Sequence, residues 1–207
     1  NTATVAVDGA HPNYTAAYTM QANDTEGTLA FTVDFTDAAG NAATQVTAIT
    51  AGVGVVFDET LPTATAVTIA SNNADTTKAK VGDVVTISFT VDEALLAAPT
   101  GTIDGNSATI AGTHPNYTAA YTMQALDTEG TLAFTVDFTD ATGNAATQVT
   151  AVTSGSGVVF DETKPTATAV TIASNNADTT KAKVGDVVTI SFTVDEALLA
   201  APTSTID

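Results

Sequence analysis

Carboxylates are the only abundant reactive groups in this chain. It carries 23 Asp and Glu against 5 Lys, no Arg, 2 His and no Cys, giving a formal net charge of −18 over 207 residues. The acids come in short groups: Asp24 and Glu26, Asp58 and Glu59, Asp92 and Glu93, then Asp127 and Glu129, Asp140, Asp161 and Glu162, Asp195 and Glu196. Oxygen-only donors in groups suit a hard divalent cation, and calcium takes about 6–8 oxygens from carboxylates, carbonyls and water. Zinc and copper are poor candidates without thiolates and with so few imidazoles. Magnesium keeps most of its own water and needs fewer protein ligands. Catalytic patterns are weak. His114 has no Ser or Asp partner at a spacing that suggests a triad. Neither a Gly-rich phosphate loop nor a zinc-protease motif is present. An acid pair for glycoside hydrolysis is compatible with the composition, but tandem copies of one unit argue against an enzyme.

The charge balance narrows the partners. Phosphate contacts need Lys and Arg, so nucleic acid is excluded as a partner, and an anionic membrane surface is disfavoured for the same reason. No apolar run approaches the ~20 residues of a membrane span, so direct membrane insertion is not expected in this region. A chain that is 44% hydrophobic and 14% charged can bury a core. The absence of Cys removes disulfides and fits an exported protein.

Internal repetition organises the chain. The run His11-Pro-Asn-Tyr-Thr-Ala-Ala-Tyr-Thr-Met recurs from His114, and Phe57-Asp-Glu-Thr recurs from Phe160, both 103 residues later. Residues 60–104 and 163–207 differ only at Leu61/Lys164 and Gly101/Ser204. Residues 11–59 and 114–162 differ at Asn23/Leu126, Ala39/Thr142, Ile49/Val152, Ala51/Ser154 and Val53/Ser156. A tandem array of domain-sized units follows. The segments Phe57–Pro62 and Phe160–Pro165 punctuate it, because Pro disfavours helix and extends the residue before it. Three regions are expected: the C-terminal part of a repeat over 1–59, a complete repeat over 60–162, and the N-terminal part of the next over 163–207. Each end should then be completed by strands from outside 1–207. Those strands lie either covalently next door in a longer rod or in a second copy.

The complete repeat reads as about seven short antiparallel strands. The first spans 64–71 and the second 84–91, where Val85, Ile87, Phe89 and Val91 alternate with Thr86, Ser88 and Thr90. The third covers about 100–104 and the fourth 107–112. The fifth carries Tyr117, Ala119, Tyr121 and Met123 on one face, and the sixth carries Leu132, Phe134, Val136 and Phe138. The seventh follows the Gly143-Asn144 turn. Period-2 alternation rich in Thr and Val marks half-buried strands. Sustained helical periodicity is absent, and Glu93-Ala-Leu-Leu could form one helical turn. The fold class is all-β, a two-sheet sandwich, with a small barrel as the alternative.

Alternating strand direction sorts the acids onto two poles. Asp58, Glu59, Asp92, Glu93 and Asp140 share the pole of the incoming linker. Asp75, Asp83, Asp104, Asp127 and Glu129 share the other. Facing acidic poles repel by roughly 1 kcal/mol per pair at ~4 Å in water and more near a protein surface. A cation would relieve this. The expected ligands at the first junction are Asp58, Glu59, Asp92, Glu93, Asp24 and Glu26. At the second they are Asp161, Glu162, Asp195, Glu196, Asp127 and Glu129. Asp140 is an added candidate, although its Asp-Ala-Thr-Gly-Asn context reads first as a hairpin turn. The plainer reading of all these acids is a solvated surface that confers solubility. Asn13-Tyr-Thr and Asn116-Tyr-Thr spell glycosylation sequons.

Three stretches carry a resemblance. Gly82-Asp-Val-Val-Thr-Ile-Ser-Phe-Thr-Val-Asp-Glu93, Asp137-Phe-Thr-Asp-Ala-Thr-Gly-Asn144 and Val159-Phe-Asp-Glu-Thr-Lys-Pro-Thr166 resemble the bacterial Ig-like tandem repeats of giant surface adhesins, including RTX-type and biofilm-associated ones. The resemblance implies an Ig-like β-sandwich, calcium at domain junctions, an extracellular place on a bacterial cell surface, and a spacer role in cell adhesion. The Gly-Gly-x-Gly-x-Asp calcium repeats of RTX toxins are absent. Two functions remain open: a calcium-stiffened rod that projects a distal binding domain, or an adhesive module whose copies join head to tail into a filament.

Overall fold

The computed structural model describes residues 3–207, and every regular element among them is a β-strand. No helix of the described residues is long and apolar enough to cross a membrane. The chain divides into two compact units, 1–160 and 161–207. In the first unit, β1 (Val7–Ala10) and β2 (Asn13–Ala16) form a hairpin, and β3 (Gly27–Thr28) pairs with β4 (Val56–Phe57). There follow β5 (Ala64–Ser71), β6 (Lys78–Ala79), β7 (Val84–Val91), β8 (Thr100–Ile103), β9 (Asn106–Ser107), β10 (Thr109–Thr113) and β11 (Asn116–Thr122). The unit closes with β12 (Gly130–Thr131), β13 (Phe134–Asp137) and β14 (Val159–Phe160). The second unit is the antiparallel pair β15 (Ala167–Ser174) and β16 (Val188–Val194).

The strands over 60–160 make three sheets, ordered β10-β11-β7-β5, β13-β8-β9 and β12-β14-β6. All pairings are antiparallel except β14 with β6. Period-2 patterning explains why β7 lies in the middle of its sheet. Val85, Ile87, Phe89 and Val91 are buried, while Val84, Thr86, Ser88 and Thr90 on the other face are half-buried. Such a strand needs a partner on both edges and apolar cover on one face. Its cover is a single cluster in which Phe89 stacks with Tyr117 at 5.9 Å and Phe138 at 6.4 Å between ring centroids. Gly101 in β8 fits this packing because a Cβ there would meet the Thr135 carbonyl oxygen at 2.8 Å.

Three expectations are revised. The fourth strand is split. Asn106–Ser107 pairs with β8 while Thr109–Thr113 pairs with β11, so the chain changes sheets at Ala108, whose N–H donates to the Gly101 carbonyl at 2.9 Å. The seventh strand after Gly143 is discontinuous, reduced to bridges at Thr139↔Ala145 and Val136↔Val149 before β14. Glu93-Ala-Leu-Leu forms no helical turn. Leu95 bridges Asp140, the Leu96 N–H donates to the Thr139 carbonyl at 3.1 Å, and the Ala141 N–H donates to the Ala94 carbonyl at 3.1 Å. These backbone bonds fix Glu93 beside the 140–144 turn.

Candidate metal centre

Three carboxylates from distant parts of the sequence converge in the first unit. Ligand oxygens of Asp58, Glu93 and Asp140 all lie within 4.8 Å of one another, a grouping able to hold a metal ion. Two oxygens on one calcium ion sit no more than about 5 Å apart, given bond lengths of roughly 2.3–2.6 Å. Asp58 comes from the segment before Pro62, Glu93 from the loop after β7, and Asp140 from the turn after β13.

Each is held differently. Asp140 is fully buried. Its Oδ1 accepts from the N–H groups of Thr142 at 2.9 Å, Gly143 at 2.7 Å and Asn144 at 2.8 Å, and its Oδ2 accepts from Asn144 Nδ2 at 2.8 Å. Burial alone would raise the Asp140 pKa, but the bonds from the Asn144 side chain and backbone, Thr142 and Gly143 outweigh it and lower the value to about 2. This carboxylate is therefore anionic over the physiological range. The Gly143 backbone has φ 102°, which a side-chain-bearing residue adopts only with strain. Asp58 is tied to the same turn: Thr142 Oγ1 approaches its Oδ2 at 3.2 Å, and Asn144 Nδ2 donates to its carbonyl at 3.0 Å. Glu93 shows the opposite electrostatics. Burial first, then the charges of Asp58, Asp140, Asp92 and Glu26, push its pKa above the ordinary value. Like charges crowded in this way favour the protonated acid or a cation.

Other expected ligands are placed outside the triad. Glu26 takes the Glu59 N–H at 2.9 Å and the Thr60 hydroxyl at 2.8 Å on its Oε1, which clamps the linker, and those two donors lower its pKa. The Glu59 side chain is exposed. Asp92 accepts from Thr63 N–H at 2.8 Å and from the Thr63 hydroxyl, and these bonds lower its pKa. Asp24 accepts from Gln21 N–H at 2.7 Å and from the Tyr18 hydroxyl at 3.1 Å, within its own loop. Asp127 repeats that arrangement, with Gln124 N–H at 2.7 Å, the Tyr121 hydroxyl at 3.2 Å and Asn106 Nδ2 at 3.1 Å. In the second unit, Asp161 accepts from Thr163 N–H at 3.0 Å, and Asp195 binds the Thr166 N–H at 2.8 Å and its hydroxyl. Glu129, Glu162 and Glu196 are likewise engaged.

The acids of the other pole are hydrogen-bonded as well. Asp75 caps Thr77, Asp83 gathers Asn73 Nδ2 and the Lys80 N–H and ammonium, and Asp104 accepts from Thr128 N–H. Sequence reasoning missed Thr142 and Asn144 as supports of the triad. A signal was present for Thr142, since it replaces Ala39 of the other copy in otherwise identical surroundings. No family model matches the chain, and neither a curated protein nor a solved structure matches it.

Proposed function

We propose that this chain is a run of extender repeats from a bacterial cell-surface adhesin, working outside the cell as a calcium-stiffened rod that holds a distal binding domain away from the surface. In this reading the repeats divide at 1–59, 60–162 and 163–207. Each complete repeat is an Ig-like sandwich of about seven strands, and neighbouring repeats are each other's partners. The observation that carries the proposal is the triad. A linker carboxylate, Asp58, meets Glu93 and Asp140 from two loops of the following repeat, all within 4.8 Å. A divalent cation shared among them ties linker to domain and removes the hinge freedom that a rod must lack. Oxygen donors alone favour calcium over zinc, and extracellular modules of this kind bind it at roughly 10⁻⁴–10⁻³ M. Near-identical repeats also suit a spacer, because length needs repetition and not a distinct site.

Thermal unfolding and small-angle X-ray scattering of the chain in millimolar calcium, millimolar magnesium and excess chelator test the reading. Calcium should raise the melting temperature, since a ligand bound only by the docked state stabilises it by mass action. It should also narrow the range of interdomain distances, with magnesium weaker on both counts. Superimposable curves in calcium and chelator would sink the proposal.

A further inference from the structure

The linker after β4 is hydrogen-bonded from both sides. Gly27 and Thr28 of β3 pair with Phe57 and Val56 of β4, which brings Glu26, one residue before β3, against the chain just after β4. Glu26 Oε1 accepts from the Glu59 N–H at 2.9 Å and the Thr60 hydroxyl at 2.8 Å, and its Oε2 lies 3.1 Å from the same hydroxyl. The flanking linker residues are gripped from 60–162 instead. Asn144 Nδ2 donates to the Asp58 carbonyl at 3.0 Å, and the Thr142 hydroxyl lies 3.2 Å from Asp58 Oδ2. The other oxygen of that carboxylate, Oδ1, accepts from the Thr60 N–H at 3.1 Å. Pro62 is fully buried. Thr63 donates its N–H at 2.8 Å and its hydroxyl to the Asp92 carboxylate, and the Asp92 N–H donates to the Thr63 carbonyl at 3.2 Å.

We infer that Glu26 of one repeat and Asp92, Thr142 and Asn144 of the next form a two-sided clamp that fixes the linker 58–63 without any cation. The inference goes beyond the spacer reading and takes from it only the division of the chain at 59/60. A hinge is a few residues that absorb a large change in φ and ψ. Here Glu59 and Thr60 are bonded to one repeat and Thr63 to the next, which leaves Leu61 and Pro62 between the grips. Pro62 has its own φ fixed by its ring and biases Leu61 to extended backbone. Leu61 is exposed, and it is the one residue of 58–63 that changes at the next junction, where Lys164 stands. A position that joins two grips and belongs to neither tolerates that exchange.

The clamp acts on different atoms from a bound ion. A cation would join the carboxylates of Asp58, Glu93 and Asp140, whereas Glu26, Asp92 and Asn144 hold linker backbone groups. Carboxylate acceptors make these bonds stronger than neutral ones. One part is specific to a copy: Ala39 stands where Thr142 does, so the turn over 37–41 has no hydroxyl to offer a linker carboxylate.

Hydrogen–deuterium exchange of the 207-residue chain in excess chelator, read by mass spectrometry on peptides spanning 55–63, tests the clamp. Leu61 gives these peptides a mass distinct from those of the next junction. The wild-type Glu59, Thr60 and Thr63 amides should exchange well below the unprotected rate. Glu26→Ala should speed exchange at Glu59 by roughly tenfold or more, as loss of a bond to a charged acceptor does. Glu26→Gln, which keeps an acceptor oxygen, should recover much of the protection. Thr142→Ala should raise exchange at Thr60 several-fold by freeing the Asp58 carboxylate, and Thr142→Ser should restore it. Linker amides that exchange at the unprotected rate in chelator, or gain protection only when calcium is added, overturn the clamp. So does a Glu26→Ala or a Thr142→Ala chain that exchanges like wild type. The spacer reading is judged by the calcium response of the scattering, so the two fail separately.

Discussion

Residues 31–35 and 134–138 have the same sequence, Phe-Thr-Val-Asp-Phe, and opposite fates. Phe31, Val33 and Phe35 are 41%, 42% and 58% exposed, whereas Phe134, Val136 and Phe138 are 6%, 0% and 7% exposed. Local propensity and pattern are identical, so the difference comes from what lies opposite. In the complete repeat β8 pairs with β13 and β7 roofs the cluster; residues 3–59 have no such cover among the described residues of their unit. An alternating run states which face wants burial, and burial itself is supplied by another sheet. The same contrast separates Asp140, buried in its turn, from Asp37, which makes the same turn in the open. Asp37 accepts from Ala39 N–H at 2.9 Å, Asn41 N–H at 2.8 Å and Asn41 Nδ2 at 2.8 Å, and those donors lower its pKa too. The bonds from the second and fourth residues after the aspartate thus recur with and without a core behind them, while the Thr142 hydroxyl on Asp140 has no counterpart at Ala39.

Replacing each aspartate in turn separates the turn from its burial. Asp140→Asn should destabilise the complete repeat by about 2–3 kcal/mol, because an amide nitrogen cannot accept and leaves buried donors without a partner. Asp37→Asn, where water can satisfy the same donors, should cost well under half of that. Chemical denaturation followed by tyrosine fluorescence measures both. The pH profile gives a second readout. A carboxylate whose pKa is depressed on folding stabilises fully above its ordinary value near 4 and loses that contribution as pH falls toward 2. Wild type should therefore lose stability across this window, and Asp140→Asn should lose less of it. Equal costs for the two substitutions would mean that the turn alone sets the energetics.

The parts legible in the sequence were those fixed by two-residue periodicity and by repetition. Alternation predicts strands over 64–71 and 84–91, where β5 and β7 run, and alternating strand direction puts Asp58, Glu93 and Asp140 at one pole, where their oxygens meet. What pattern could not show was how strand edges pair. The Thr, Ala and Ser of 105–112 have no strong face preference, so nothing in them announced the change of sheet at Ala108. The stretch after Gly143 is equally weakly patterned and pairs only in patches. Nor could pattern show what each acid bonds: Asp24 and Asp127 accept from the N–H three residues earlier in their own loops, and Asp92 accepts from Thr63 in the linker. Glu93 stayed unsatisfied in that local way and was carried to Asp140 by the backbone bonds of Leu96 and Ala141.

Glu93 sharpens the comparison from the electrostatic side. Its raised pKa means that its ionisation opposes the folded state, so the penalty is present above the raised value and disappears below the ordinary one. In chelator, lowering pH from neutral toward the ordinary glutamate value should therefore raise the melting temperature of wild type relative to Glu93→Gln, the reverse of the Asp140 effect at lower pH. At neutral pH in chelator, Glu93→Gln should be at least as stable as wild type. Calcium should reverse the order, and isothermal titration should show binding weakened by about tenfold or more, as loss of one support of a metal site does. A variant that binds calcium like wild type removes Glu93 from the site.

The smallest difference between copies is a single side chain on a tight loop. Leu126 has φ 81° and is 94% exposed, while Asn23 stands in the other copy. A branched apolar residue in the left-handed region is strained by its Cβ, and asparagine tolerates that region better because its short amide bonds locally. Exposure means that Leu126 gains little from burial to offset the strain. Leu126→Asn should therefore stabilise the complete repeat by up to about 1 kcal/mol, and Leu126→Gly should change it by a similar amount in the same direction. Asp127 closes this loop by accepting from Gln124 N–H, so proteolysis within 124–127 should slow when Leu126 is replaced by Asn. If Leu126→Asn instead lowers the denaturation midpoint, the leucine is held by packing that outweighs its backbone strain.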